Sequence, residues 1–435
     1  MREEGLIRAV GVRGLSAGVV NYTLGAGIFV LPALVAAKVG AAAPIVYVIC
    51  AVAMGLIALC FAAAGSRVSM SGGAYAYAEA AFGSYVGFMV AIGLWLSTIL
   101  ASASVANVFV DSLTQLSPAV GGSVFRTIIM LVLYGALVAI NIRGVKIGSN
   151  VVQTVTAAKL APILILLAAG FFAIRSSNLA WPGMPSATDT ARTAVILIFA
   201  FMGVESALIC SGEVKNPART VPRAIFLALG LVALLYIAIQ VVTQGILGAE
   251  LATNTKAPLA AAAKVALGRA GELLVIAGAA ISTLGYVAGD MLAAPRMLFA
   301  LGHNSMLPGV TALIHERFRT PWAAIVIHAV FCATLAITGT FASLAVLVVL
   351  LTLLVYLAVC LASIQLQRRN VRAEGAEPFK IAGGMIVPVL ASAIIVWLMS
   401  SSTQQEVIAL VAMMVVSTLI YFLMRARRPI AVPAT

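Results

Sequence analysis

Charged residues are scarce in this chain. Of its 435 residues, 9% are Asp, Glu, Lys or Arg, whereas 63% are hydrophobic and the mean hydropathy is +1.11. A soluble domain carries about 25% charged residues, so this composition excludes one and predicts a chain that crosses a membrane several times. The net charge of +13 would indicate nucleic acid in a soluble protein. Here the basic residues lie in short loops between apolar runs, so no nucleic-acid partner is expected.

Histidine and cysteine are also few. The three histidines are scattered, and none is paired with a cysteine or a carboxylate at a spacing typical of metal ligands. The five cysteines lie inside apolar runs and are odd in number, so no disulfide framework is expected. We expect no metal site and no cofactor. The sequence also has no GxxxxGK[ST] loop, catalytic triad pattern or repeated filter sequence, which argues against an ATP-driven pump, an enzyme and a channel.

Apolar runs of about twenty residues, long enough to span a bilayer, follow one another along the chain. We predict an all-α membrane protein of about twelve helices, near 14–38, 44–65, 84–112, 124–141, 148–174, 192–213, 222–248, 271–300, 322–340, 343–366, 385–401 and 405–424. With an even number of spans, most of the 27 Lys and Arg residues fall on the side of both termini. The segments 1–13 and 425–435 are therefore expected in the cytoplasm, and the protein in the plasma membrane, for a bacterium the inner membrane.

Two of these runs contain features that interrupt a helix. The sixth run carries Gly203 and the carboxylate of Glu205, and such a charge costs about 2.5–3.5 kcal/mol at a bilayer centre unless it has a partner or a task. The first run carries Gly25 and Gly27 near its middle and Pro32 soon after. Interrupted first and sixth spans are typical of transporters built from two inverted five-helix repeats. The alternative is that these glycines let neighbouring helices pack closely.

Five motifs carry a resemblance to a known family. They are G-A-G-I-F at 25–29, S-G-G-A-Y-A-Y at 71–77, F-M-G-V-E at 201–205, G-E-V-K-N-P-A-R-T-V-P-R-A-I at 212–225 and R-M-L-F-A-L-G-H-N-S-M-L-P at 296–308. The chain resembles the amino acid–polyamine–organocation superfamily over nearly its whole length. The resemblance implies a leucine-transporter-like fold with a first inverted repeat at 14–174, a second at 192–366 and two further helices at 385–424. It also implies alternating-access transport of amino acids, with exchange of polyamines or cationic amino acids for amines as the alternative.

A zwitterionic amino acid in mid-membrane needs fixed dipoles to replace its water. Amides at the start of the outer half of the first span suit a carboxylate, and carbonyls at the ends of the inner half-helices suit an ammonium. The resemblance implies that Phe199 closes over bound substrate as a gate; the alternative is an ordinary packing phenylalanine. The candidate substrate-binding residues are Thr23, Ala26, Gly27, Ile28, Phe199, Ala200, Gly203 and Asp290.

Lys159, Glu205 and Phe199 are the candidate coupling and gating residues. Lys159 lies about 18 Å along the fifth span from the basic turn before it, at 1.5 Å per residue. The resemblance implies that its ammonium takes the place of a sodium ion, so transport is expected to be sodium-independent, by proton symport or exchange. The alternative is a lysine that reaches the inner interface.

Asp290 departs from the family pattern, which has an uncharged or aromatic residue at this position. It lies six residues before Arg296 on the eighth span. Three interpretations remain open: it faces a cationic substrate side chain, it pairs with Lys159, or it lies at a hydrated helix end. The expected partners are thus an amino acid or amine, protons and the lipid bilayer.

Overall fold

The computed structural model describes residues 11–68, 73–117, 121–143, 160–181, 183–203, 214, 217–372 and 377–426. The architecture of this part of the chain is helical. The α-helices are, in chain order, α1 Val12–Thr23, α2 Gly27–Val39, α3 Ala43–Gly65, α4 Ala74–Phe82, α5 Ser84–Leu116, α6 Ser123–Arg143, α7 Leu160–Gly170, α8 Ala187–Phe201, α9 Pro217–Leu247, α10 Pro258–His303, α11 Trp322–Thr338, α12 Phe341–Arg368, α13 Ile386–Met399 and α14 Gln404–Ala426.

Many of these helices are apolar enough to cross a membrane. Within the described ranges, 7 helical stretches have the required length and composition: Gly27–Gly65, Ser84–Leu116, Ser123–Arg143, Arg219–Thr253, Pro258–His303, Phe341–Arg368 and Gln404–Ala426. Shorter apolar helices occupy Leu160–Ala173, Trp322–Thr338 and Ile386–Met399. The helices agree with the composition, and the chain is a multi-pass membrane protein.

Helix bounds follow the predicted spans closely where local sequence decides them. The span predicted at 44–65 is α3, and that predicted at 405–424 is α14. The helix α10 begins at Pro258, well before the predicted start at 271, and bends at Gly268, where φ is +70°. Proline at a first helical position and the alanines after it favour this earlier start. The structure describes the span predicted at 148–174 from residue 160 onward. It describes the span predicted at 192–213 up to residue 203.

The first predicted helix interruption is present, and at the second the described helix ends. The helix α1 ends at Thr23 and α2 begins at Gly27, with Leu24 at ψ 72° between them. The helix α8 ends at Phe201, and Gly203 follows with φ +126°. Glycine adopts a positive φ without the steric cost that a Cβ atom brings, which explains why α8 ends just before Gly203.

Helix packing brings the two interruptions together inside the bundle. The helix α2 packs against α8, and α1 packs against α9. On the other side, the long helix α5 packs against both α10 and α12, and α10 packs against α11. A Cβ atom added at Gly27 would lie 3.3 Å from the Cα atom of Ala200. The end of α1, the start of α2 and the end of α8 thus converge, and backbone groups at helix ends lack helical partners.

Candidate binding site

A cavity lies where the two interruptions converge. Its empty volume is about 540 Å³, its open mouth included. Four parts of the bundle line it: the α1–α2 break, the middle of α5, the end of α8 and one residue of α10. The lining residues are Thr23, Gly25, Ala26, Gly27, Ser97, Thr98, Ala101, Val105, Phe199, Met202, Gly203 and Tyr286.

Free backbone amides lie at the N-terminus of α2. Ala26 caps this helix and Gly27 opens it, and both line the cavity. The amides of Ala26, Gly27 and Ile28 donate to no backbone carbonyl in the described part of the chain. The side chain of Ile28 is buried and does not line the cavity. Together with the helix dipole, these amides form a site for a negatively charged group such as a carboxylate.

Thr23 offers a hydroxyl at the opposite side of the same break. This residue is buried, and its Oγ1 atom has no hydrogen-bond partner among the described residues. A buried hydroxyl without a hydrogen-bond partner costs about 1–3 kcal/mol. A hydroxyl of this kind in a cavity wall is therefore suited to bind a polar group of a ligand. Thr23 thus lines the cavity, where its hydroxyl adds to its backbone carbonyl.

Tyr236 of α9 joins the two interruptions, a role that the sequence did not reveal. Its hydroxyl donates towards the Thr23 carbonyl at 2.9 Å and the Ala200 carbonyl at 2.8 Å. These two carbonyls lie at the inner half-helix ends, where the sequence predicts carbonyls that suit a substrate ammonium. The single hydroxyl proton of Tyr236 is shared between the two carbonyls, and each carbonyl retains a further lone pair. Nothing in an apolar stretch such as L-L-Y-I-A distinguishes this tyrosine from one that packs in the core.

Phe199 lies on the cavity wall at the end of α8. Its ring packs edge-to-face against Phe341, the first residue of α12, with the ring centroids 5.6 Å apart at 87°. Gly203 lines the same wall. Both residues thus line the cavity, and their contact with substrate and the role of Phe199 as a gate remain predictions.

The helix α5 supplies cavity residues that sequence analysis missed. The hydroxyls of Ser97 and Thr98 donate to the carbonyls of Leu94 and Trp95, at 2.7 and 2.8 Å. Their oxygen lone pairs remain available as acceptors. The signal was present in the sequence, since a Ser-Thr pair followed by A-S-A-S is unusually small and polar for a membrane span.

Asp290 contacts His328, a partner that none of the three interpretations named. Its Oδ2 atom lies 2.8 Å from His328 Nε2, and the same nitrogen lies 3.4 Å from the sulfur of Cys332. Asp290 is not among the residues that line the cavity. The expectation that no histidine is paired with a carboxylate or a cysteine is therefore wrong for His328. Its partners lie on another helix and one turn along its own.

Two candidate coupling residues, Lys159 and Glu205, lie outside the described residues. An ion pair between Lys159 and Asp290 is for the same reason not part of the described structure.

Comparison with known proteins decides the family. The family model "Amino acid permease" matches residues 10–424. The chain belongs to the amino acid permease family. Among relatives of this permease, the methylthioribose transporter of Bacillus subtilis is 27% identical over 97% of this chain and 94% of its own. The serine/threonine exchanger SteT of Bacillus subtilis is 29% identical over 74% of this chain and 75% of its own.

A third relative comes from a plant. The chloroplastic cationic amino acid transporter 9 of Arabidopsis thaliana is 28% identical over 72% of this permease and 58% of its own length. The resemblance seen in the sequence motifs is thus confirmed, and the permease is a membrane transporter rather than an enzyme. The three relatives are named for a thio-sugar, for hydroxyl amino acids and for cationic amino acids, so the family alone does not select a substrate.

Proposed function

We propose that this permease is a secondary transporter that carries small neutral amino acids by alternating access. The observation that carries the proposal is the cavity between the two helix interruptions, where amides of α2 and the Thr23 hydroxyl have no hydrogen-bond partner among the described residues. The substrate carboxylate binds the amides of Ala26, Gly27 and Ile28. The ammonium binds the Thr23 hydroxyl and the free lone pairs of the Thr23 and Ala200 carbonyls, and Phe199 closes over the bound molecule.

The lack of charge among the described cavity residues favours a substrate with a neutral side chain. None of the described lining residues is charged, and the nearest carboxylate of α10, Asp290, is already hydrogen-bonded to His328. A cationic side chain would lose its hydration without gaining a counter-ion here. Exchange of cationic amino acids or polyamines is therefore the less favoured function.

The proposed architecture is that of two inverted repeats. Residues 14–174 form the first repeat, 192–366 the second, and 385–424 two additional helices. The interruptions in α1–α2 and after α8 take corresponding places in these halves, as inverted-repeat transporters require. The distribution of Lys and Arg supports cytoplasmic termini in a bacterial inner membrane.

Sodium independence rests on Lys159, whose position in the sequence supports an ammonium in place of a sodium ion. Glu205 follows the second interruption directly and is proposed to couple movement of that segment to substrate binding. Both roles rest on sequence alone.

Counterflow in sodium-free proteoliposomes tests the function. Vesicles are preloaded with unlabelled L-serine and receive labelled L-serine outside, with L-alanine, L-threonine, L-lysine, putrescine and methylthioribose as competitors. We expect transient accumulation of label that neutral amino acids inhibit and L-lysine does not. Dissipation without overshoot would indicate a channel and contradict the proposal. Stronger competition by L-lysine, putrescine or methylthioribose would contradict the neutral amino acid assignment.

A further inference from the structure

Behind the cavity wall, two helices share a buried ionisable pair. Asp290 of α10 and His328 of α11 have side chains that are 6% and 0% exposed, with Oδ2 and Nε2 2.8 Å apart. Asp290 follows the cavity residue Tyr286 by four residues on α10, which is about 6 Å along the helix. Asp290 therefore lies about one helical turn from the cavity residue Tyr286.

The protonation state of this pair determines its net charge. A singly protonated His328 that donates from Nε2 to the Asp290 carboxylate leaves the pair with one negative charge. A proton on Nδ1 as well makes it a neutral ion pair. Uncompensated charge is expensive away from water, and within the described chain no Lys or Arg nitrogen lies within salt-bridge distance of Asp290. Among the described residues, binding one proton thus removes the net charge of this pair.

The second imidazole nitrogen of His328, Nδ1, makes no hydrogen bond within the described residues. This atom is buried. A histidine that serves structure alone usually bonds with both nitrogens, since an unpaired buried polar atom is costly. This orphan nitrogen is the place where an additional proton would be held.

The groups around the pair are weakly acidic or neutral. Cys332 lies one turn along α11, 3.4 Å from His328 Nε2. From α6, the Tyr134 hydroxyl lies within electrostatic range of Asp290, Cys332 and Tyr286 and contacts Ser102 of α5 at 3.2 Å. The helix α7, which also packs against α10, has no titratable side chain. Among these described groups, Asp290 and His328 are the two that are joined by a direct hydrogen bond between a carboxylate and an imidazole.

The geometry favours a proton over a metal ion. In a tetrahedral zinc site with ligands at about 2.0–2.1 Å, the nitrogen and oxygen ligands would lie about 3.3 Å apart. The separation of 2.8 Å between Asp290 Oδ2 and His328 Nε2 is that of a charge-assisted hydrogen bond.

We propose that the Asp290–His328 pair is the proton-binding site that couples transport to a pH gradient. This inference rests on the proposed transport function. A proton from water on one side binds Nδ1 of His328 and converts the imidazole to imidazolium. It leaves to water on the other side when the substrate is released, and the imidazole is restored. One proton then accompanies each substrate molecule.

The first test measures accumulation and exchange separately. Sodium-free proteoliposomes with an acidic exterior receive labelled L-alanine, L-serine and L-threonine as a mixture. At one proton per substrate, a difference of one pH unit supports about tenfold accumulation. We expect Asp290→Asn and His328→Gln to lose this accumulation while retaining counterflow. The exposed His303 provides a matched control, and His303→Gln should accumulate like the wild type.

Cys332→Ser distinguishes a proton from a metal ion. We expect it to keep pH-driven accumulation, and EDTA to have no effect on the wild type. Loss of accumulation both in Cys332→Ser and in the wild type with EDTA would indicate a metal site and overturn the proposal. Unchanged pH-driven accumulation in Asp290→Asn and His328→Gln would overturn it as well. If the wild type shows no counterflow of the mixture, the proposed function fails rather than this assignment.

A second test needs neither substrate nor a variant of the pair. The chain has three histidines, so His303→Gln combined with His315→Gln leaves His328 alone. With the protein purified on a histidine-free tag, ¹⁵N NMR of the full chain in nanodiscs reports the state of its imidazole. We expect a change from one to two protonated nitrogens between about pH 8 and 5. An imidazole that stays in one state across this range would overturn the proposal.

Discussion

Gly27 and Ala200 approach each other so closely that a Cβ atom at position 27 would lie 3.3 Å from the Cα of Ala200 and 3.4 Å from its Cβ. One residue opens α2 and the other lies near the end of α8, so the two interrupted spans touch at their breaks. Any larger side chain here would separate the breaks and occupy the cavity between them. The site therefore depends on this contact.

Replacing Gly27 with leucine should abolish substrate binding. The new side chain would meet Leu31 as well as Ala200, since its Cβ atom would lie 3.0 Å from Leu31 Cδ1. Binding of L-serine to purified protein, measured by isothermal titration calorimetry, checks this. Gly135→Leu is the matched control, because Gly135 is exposed on α6 and has open space around it. Wild-type affinity in Gly27→Leu would contradict the assignment of the α2 amides.

Thr23→Val should weaken binding and leave folding intact. The substitution keeps the shape and removes an oxygen that has no partner in the described chain. Loss of a hydrogen bond to an ammonium costs about 1.5–3 kcal/mol, or roughly 10- to 150-fold in Kd. Removing an unpaired buried hydroxyl should not lower the unfolding temperature. A Kd equal to that of the wild type would show that the Thr23 hydroxyl does not touch the substrate.

Tyr236→Phe should destabilise the protein. It keeps the ring that packs edge-to-face on Phe201 but removes the hydroxyl shared by the Thr23 and Ala200 carbonyls. We expect a loss of about 1–3 kcal/mol, seen as a lower unfolding temperature in detergent. Tyr85→Phe is the control, since its hydroxyl bonds Thr418 at an exposed position. Equal unfolding temperatures for both variants would contradict a bridging role for Tyr236.

Transport should continue when choline replaces external sodium, and Lys159→Ala should lose most of its activity. The reason is that an ammonium already takes the place of the sodium ion, and its removal leaves that place empty. Initial uptake rates of labelled L-serine in the two buffers and the two proteins are the measurement. A steep sodium requirement in the wild type would refute this account of coupling.

The helix interruptions could be predicted because local residues cause them. Glycine lowers the cost of leaving the helix, and Gly25 and Gly203 are both visible in the printed sequence. The same is true of the free amides, since every helix N-terminus has them. These parts of the fold and the site require no knowledge of tertiary structure.

Contacts between helices could not be predicted from local residues. Asp290 and His328 are 38 positions apart, and Tyr236 lies 213 positions from Thr23. Their pairing depends on which faces of α10, α11, α1 and α9 meet, and apolar periodicity carries little such information in a chain that is apolar on all sides. The pairing of His328 with Cys332 is the exception. Their spacing of four residues on one helix was visible and indicated a shared face.

The central claim is that substrate occupies the cavity between the two interruptions, and Thr98→Cys tests it most directly. Thr98 is half-buried on the cavity wall, whereas the native Cys50, Cys60, Cys332 and Cys360 are buried. The unsubstituted protein gives the background rate of labelling. We measure the rate at which a membrane-impermeant maleimide labels Thr98→Cys with and without L-serine. The account predicts that L-serine slows labelling at concentrations that support counterflow. A labelling rate that no transported solute changes would contradict it.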